Sequence, residues 1–212
     1  MNSSVIPTVF ARSKKEFEER FEKLIKVSEY IQIDFMDGKF VKGRSIRVED
    51  IPYLKKYKNN FEAHLMVNNP EKYSEKLKKK GFKKIIFHIE SVNKEGAEKL
   101  IERIKKLRME VFVAINPETP VMDIVQLINK VDGVLVMGVH PGKEHQHFIP
   151  AVYDKIKELR NFKEKIKIQI DGGVNFDNIR KLKESGADFI NSGSLVAEAE
   201  NPKEIIERLS RE

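Results

Sequence analysis

The chain has 212 residues, 40% of them hydrophobic, and no cysteine, which excludes disulfides, thiolate metal sites and cysteine nucleophiles. No apolar run reaches the roughly 18 residues of a membrane span, and the start MNSSVIPTVF lacks the basic and apolar regions of a secretory signal, so a cytoplasmic location is expected. The net charge of +7 is spread over segments of interleaved sign such as 16–26 and 99–110, with no basic motif carrying interleaved aromatics; it argues against nucleic acid and suits an anionic substrate such as a sugar phosphate.

Along the chain, short apolar runs alternate with amphipathic stretches. A first strand is expected over 5–10. Ser13-x-x-Glu16 then forms a capping box, and Phe17, Phe21, Leu24 and Ile25 follow at helical spacing. Strands over 31–36 and 61–67 come next. Asn69-Pro70 opens a helix that Gly81 closes. The densest basic run, KLKKKGFKK over 76–84, falls at the end of that helix and reads as a solvated face. Strands over 84–89 and 111–115 follow, then Thr119-Pro120 as a further helix start, and strands over 133–139 and 166–170. Gly186 stops a helix before the last strand at 189–192, and Asn201-Pro202 opens the final helix.

Strands recurring every 20 to 35 residues or so imply βαβ units and a parallel sheet. Eight units without a composition break point to one α/β domain over 1–212, a (β/α)8 TIM barrel; a doubly wound open sheet is the alternative. In such a barrel the chemistry sits where strands end and βα loops begin.

The strand ends are unusually polar. In IQIDFMDG, Gln32, Asp34 and Met36 share one face, and the other face is apolar. A carboxylate pointing into a barrel is costly unless it is paired, coordinated or near the mouth. His64 lies in FEAHLMV, in phase with Glu62 and Met66. Asp171 ends the seventh strand and is followed by Gly172 and Gly173; Gly193 and Ser194 follow the eighth. Glycine turns there suit phosphate binding by backbone N–H groups. Two carboxylates across a pocket suit removal of a proton α to a carbonyl and its return on the other face. A metal held by His64 and the two aspartates would act as a Lewis acid toward the enediolate. Met36, Met66 and Met137 would wall the site off from water; core filling is the simpler reading.

These stretches resemble the ribulose-phosphate 3-epimerase family over nearly the whole chain. They are IDFMDGKFV, HLMV followed by NP, the His88-Ile89-Glu90 triplet, INPETP, VLVMGVHPG, DGGVN and GADFINSGS. The resemblance implies a TIM barrel and a divalent-metal epimerase (Zn, Mn, Fe or Mg) that interconverts D-ribulose 5-phosphate and D-xylulose 5-phosphate. It implies Asp34 and Asp171 as acid and base that also touch the metal, and His64 as a ligand. It implies substrate contacts from Thr8, Met36, His64, Met66, Met137, Gly142, Gly172, Gly173, Gly193 and Ser194, and a homo-oligomer. The chain departs from the family at Gln32, where a ligand histidine is usual; a glutamine carbonyl would coordinate more weakly. The sixth-strand loop also departs, with His140-Pro141-Gly142-Lys143-Glu144-His145-Gln146 in place of a glycine-rich run. There Glu144 would repel a phosphate that Lys143, His145 and His147 would attract. Two rivals follow from these changes: a 3-epimerase of a hexulose phosphate such as allulose 6-phosphate, and a non-catalytic phosphosugar-binding paralogue.

Overall fold

The computed structural model describes residues 3–212; residues 1 and 2 of the expected 1–212 domain lie outside the described residues. Eight parallel strands form a closed barrel in sequence order: β1 (Ser4–Val9), β2 (Tyr30–Met36), β3 (Asn60–Met66), β4 (Lys84–His88), β5 (Glu110–Ile115), β6 (Gly133–Met137), β7 (Lys167–Asp171) and β8 (Phe189–Ser192). Pairing of β1 with β8 closes the sheet and rules out the open alternative. All eight expected strands are present, with ends shifted by two residues at most.

Most helices form where the sequence places their caps; Asn69-Pro70 instead opens a 3-10 turn at Pro70–Lys72, and the α-helix follows from Ser74. In α1 (Lys14–Leu24) the Ser13 hydroxyl accepts from Glu16 N–H at 3.2 Å, satisfying one of the free N–H groups of the first turn. Its buried face of Phe17, Phe21 and Leu24 packs on the sheet, with Phe21 stacked 5.7 Å from Phe61. Removing such a ring costs about 3–5 kcal/mol, so Phe21→Ala is the single change that would most weaken this docking. Helix α2 (Ser74–Lys80) ends at Gly81 with φ 108°, a left-handed cap that favours glycine. Then come α3 (Lys94–Lys106), capped by Asn93, α4 (Val152–Phe162), α5 (Ile179–Ser185), the short α6 (Ser194–Ala197), and α7 (Pro202–Arg211), capped by Asn201.

Two connections differ from the helical expectation. After Thr119-Pro120 the chain makes 3-10 turns at Val121–Asp123 and Val125–Leu127 rather than an α-helix. The buried residues explain this: Val121, Ile124 and Leu127 recur every third position, which suits three residues per turn. The β2–β3 connection likewise uses 3-10 turns, at Val48–Asp50 and Leu54–Lys56.

The strand alternation sorts the core into layers. Outward residues such as Ile31, Ile33, Phe61, Leu65, Val134 and Ile168 pack under the helices. Inside the barrel, Ile86, Phe112, Ala114, Leu135 and Met137 form one apolar sector. Opposite them the interior is polar, with Gln32, Glu62, His64, Lys84, Gln169 and Asn191 all buried. Register aligns Gln32 with Glu62, Asp34 with His64 and Met36 with Met66 across β2 and β3, so strand phase turns Asp34 inward. Lys84, read from the sequence as part of a solvated basic run, is instead the first residue of β4 and is buried in the barrel.

Candidate active site

A cavity of about 400 Å³ opens at the C-terminal end of the strands, within the size range of small-ligand sites. Thr8, Asp34, Met36, His64, Met66, Met137, Gly142, Asp171, Gly172, Gly173, Gly193 and Ser194 all line it. These are all the candidate residues except Gln32, which is buried directly beneath Asp34.

At its floor three side chains converge. His64 Nδ1 lies 3.3 Å from Asp34 Oδ1 and 3.1 Å from Asp171 Oδ2. One donor atom from each of the three falls within 4.8 Å of the others. Gln32 Nε2 donates to Asp34 Oδ1 at 2.9 Å and to Asp171 Oδ2 at 2.6 Å. Its oxygen faces the other way, toward Asn191 Nδ2 at 2.9 Å. The amide nitrogen of Gln32, and not its carbonyl, therefore faces the carboxylates.

Burial sets the electrostatics. Loss of water raises the Asp34 carboxyl, and the charge of Asp171 adds to this; hydrogen bonds from His64 and Gln32 offset part of it, leaving Asp34 up at about 6. Burial opposes a charged His64, but hydrogen bonds to Asp171 and Asp34 outweigh it and hold the imidazole up at about 9. The two carboxylates thus favour a proton on His64, and a metal ion binding at Nδ1 would compete with that proton. On its far side, His64 Nε2 meets His88 Nε2 at 2.9 Å. Burial lowers His88, so it is the neutral partner and accepts there. Its Nδ1–H then faces Glu90 Oε2 at 3.3 Å. Glu90 in turn accepts from Asn116 N–H at 2.7 Å and from the Thr119 hydroxyl. This chain of partners fixes the plane of the His64 ring.

The mouth is built by the loops after β6, β7 and β8. Gly172 and Gly173 have φ of 99° and 69°. A Cβ on Gly172 would lie 2.4 Å from Val139 Cγ2, and one on Gly173 would lie 2.8 Å from the Phe148 backbone. Only glycine fits both the conformation and the space. Glu144 is not a free charge: Arg20 of α1 holds its two oxygens at 3.0 and 3.2 Å and also pairs with Glu198 at 3.0 Å. A Cβ on Gly193 would lie 4.0 Å from Glu144 Oε1, so this ion pair borders the turn after β8. His145 adopts φ 59°, the left-handed conformation that a glycine would take more easily.

Sequence reasoning missed Arg20 and the buried set Lys84, Gln169 and Asn191, and it named Glu62 and Glu90 without giving either a role. Arg20 sits on a helix face with no local signal. The buried set had one signal, since each member lies on the inward phase of its own strand.

The sequence matches the model of the ribulose-phosphate 3 epimerase family over residues 1–197. It is 30% identical to a ribulose-phosphate 3-epimerase of Schizosaccharomyces pombe, covering 99% of this chain and 93% of that one. It is 32% identical to the cytoplasmic isoform of ribulose-phosphate 3-epimerase from Oryza sativa subsp. japonica, with the same coverage. Among solved structures, 3-hexulose-6-phosphate synthase from Salmonella typhimurium superposes with a TM-score of 0.75 at 15% identity, covering 98% of this chain and 97% of that one. That likeness is one of fold.

Proposed function

The chain belongs to the ribulose-phosphate 3-epimerase family, and from that premise we propose that it interconverts D-ribulose 5-phosphate and D-xylulose 5-phosphate by two-aspartate proton transfer. The observation that carries this reading is the convergence of Asp34 and Asp171 on one imidazole, both lining the same cavity. One carboxylate removes the C3 proton, and the electron pair moves toward the C2 carbonyl to form an enediolate. The other carboxyl delivers a proton to the opposite face of C3. In the reverse direction the two exchange roles. An Asp34 carboxyl held up near 6 carries or accepts a proton close to neutral pH, as either role requires.

His64, with Nδ1 between the two carboxylates, holds the aspartates in place. Met36, Met66 and Met137 face the cavity and limit water above the reacting carbon. The substrate phosphate is bound by the backbone at Gly172, Gly173, Gly193 and Ser194, with Gly142 of the sixth loop and the Thr8 hydroxyl completing the lining.

Asp34, His64 and Asp171 form a buried N/O donor set that fits a divalent ion such as Zn, Mn, Fe or Mg. When bound, that ion supplies Lewis-acid stabilisation of the enediolate oxygen.

In D2O the enzyme should place deuterium at C3 of ribulose 5-phosphate. No exchange at high enzyme concentration, with or without added Mn or Zn, overturns the proposal. The altered loop at 140–147 keeps a hexulose phosphate as the second reading, and comparing pentulose with hexulose phosphates under the same conditions separates the two.

A further inference from the structure

Below the aspartates, three side-chain amides are hydrogen-bonded in series, and their orientation is forced from one end. Lys84 Nζ pairs with Glu62 Oε2 at 2.5 Å and lies 3.0 Å from Gln169 Oε1. An ammonium group only donates, so the Gln169 atom facing it must be oxygen. Turning that amide over would set its NH2 against the ammonium and its oxygen against the Glu62 carboxylate. The Gln169 NH2 therefore faces Glu62 and Asn191 Oδ1, the latter at 2.7 Å. Asn191 accepts there, so its own NH2 points to Gln32 Oε1 at 2.9 Å. Gln32 accepts in turn, and its NH2 is left to face Asp171 and Asp34. Each step uses up the only acceptor its neighbour offers, so a single amide cannot reverse without placing N–H against N–H in a buried space.

We propose that Gln32 is a positioning residue locked as a hydrogen-bond donor across the two carboxylates, not a carbonyl ligand, and that the Lys84–Glu62 pair sets this lock. The inference rests on the two-aspartate site proposed above. It gives the position where the family usually has a ligand histidine a different task. The amide spaces Asp34 and Asp171 directly and turns the positive end of its dipole toward any cation there. A metal ion would then be held by Asp34, His64 and Asp171 alone.

The test is calorimetric titration of Zn2+ into chelator-stripped wild type and Gln32→His. A locked donor predicts that Gln32→His, which offers a ring nitrogen where the amide offers none, binds zinc at least about tenfold more tightly than wild type, whereas equal affinity would show that the glutamine already serves as a ligand and overturn the proposal. Should Gln32→His not fold, 15N spectra of the wild type decide the matter. The Gln32 NH2 should be protected from solvent exchange and stay so at zinc saturation; free exchange, or a shift marking oxygen coordination, refutes the lock. Removing the charge pair in Glu62→Leu/Lys84→Met should let the amide turn, so that its protection falls and zinc binds about tenfold more tightly. Unchanged protection and affinity in a folded double variant would refute the role of Lys84. None of these readouts needs turnover, so they stand or fall separately from the epimerase reading.

Discussion

Glu144 should weaken substrate binding, and its removal should improve it. The carboxylate borders the turn at Gly193, where the proposed phosphate site lies, and is tethered there by Arg20. Even at the bulk-water dielectric of ~80, a carboxylate about 5 Å from a phosphate dianion repels it by about 2 kcal/mol. The Arg20 guanidinium lies just behind and returns roughly half of that, leaving about 1 kcal/mol against binding. Glu144→Gln should therefore lower KM about fivefold and leave kcat within about twofold, because the charge acts equally on ground and transition states. Arg20→Met should do the opposite and raise KM, since it leaves Glu144 uncompensated. Both effects should shrink at high salt, where exposed charges are screened. Steady-state epimerisation of ribulose 5-phosphate at low and high ionic strength is the assay. An unchanged or raised KM for Glu144→Gln would show that Glu144 faces no phosphate, and the electrostatic account of the loop would be wrong.

Three further outcomes follow from the interior. Asp34→Asn and Asp171→Asn should each slow deuterium incorporation at C3 by about 10²–10⁴-fold while circular dichroism stays unchanged; near-normal exchange in either would refute the two-base scheme. The Asp34 carboxyl is raised from 3.8 to about 6 on folding, so the folded state holds its proton more tightly than the unfolded chain. Its contribution to stability is then complete below pH ~4 and is lost as pH rises through ~6, amounting to about 3 kcal/mol. Urea unfolding in the presence of chelator should show this fall in wild type relative to Asp34→Asn, and parallel curves for the two would contradict it. Lys84→Met strands the buried Glu62 carboxylate and should cost about 3–5 kcal/mol, on the order of 10 °C in Tm for a chain of this size. Adding Glu62→Leu should restore most of it, and a single-variant loss within about 1 kcal/mol would mean that Glu62 is protonated or hydrated instead.

How much of this was legible in the sequence depended on the reach of each signal. The strands were readable because alternation and βαβ spacing are local properties, and the barrel followed from eight units in series. The inward phase of Asp34 and His64 came from the same alternation. The helix expected after Pro120 failed because Val121, Ile124 and Leu127 keep a three-residue period, which a 3.6-residue template does not separate from a short helix. The Arg20–Glu144 pair joins positions 124 residues apart, and nothing local announces it.

Lys84 shows where the reading could have gone further. It ends a run of lysines and was grouped with them by composition, yet it lies in phase with Ile86 and His88 on a strand. Phase should outrank composition there, because a strand's two faces have opposite environments and a helix-end lysine has only one. Gln32, Glu62, Lys84, Gln169 and Asn191 are five polar side chains, all on inward phases. A closed barrel has no solvent at that depth, so each needs a partner from another strand. One lysine and one glutamate among three amides leave few satisfied arrangements, and all of them put the donor-only end at Lys84. Inward phase and donor count narrow the arrangements, but the order Lys84–Gln169–Asn191–Gln32, which turns the NH2 of Gln32 toward Asp34 and Asp171, comes from the contacts of the folded barrel.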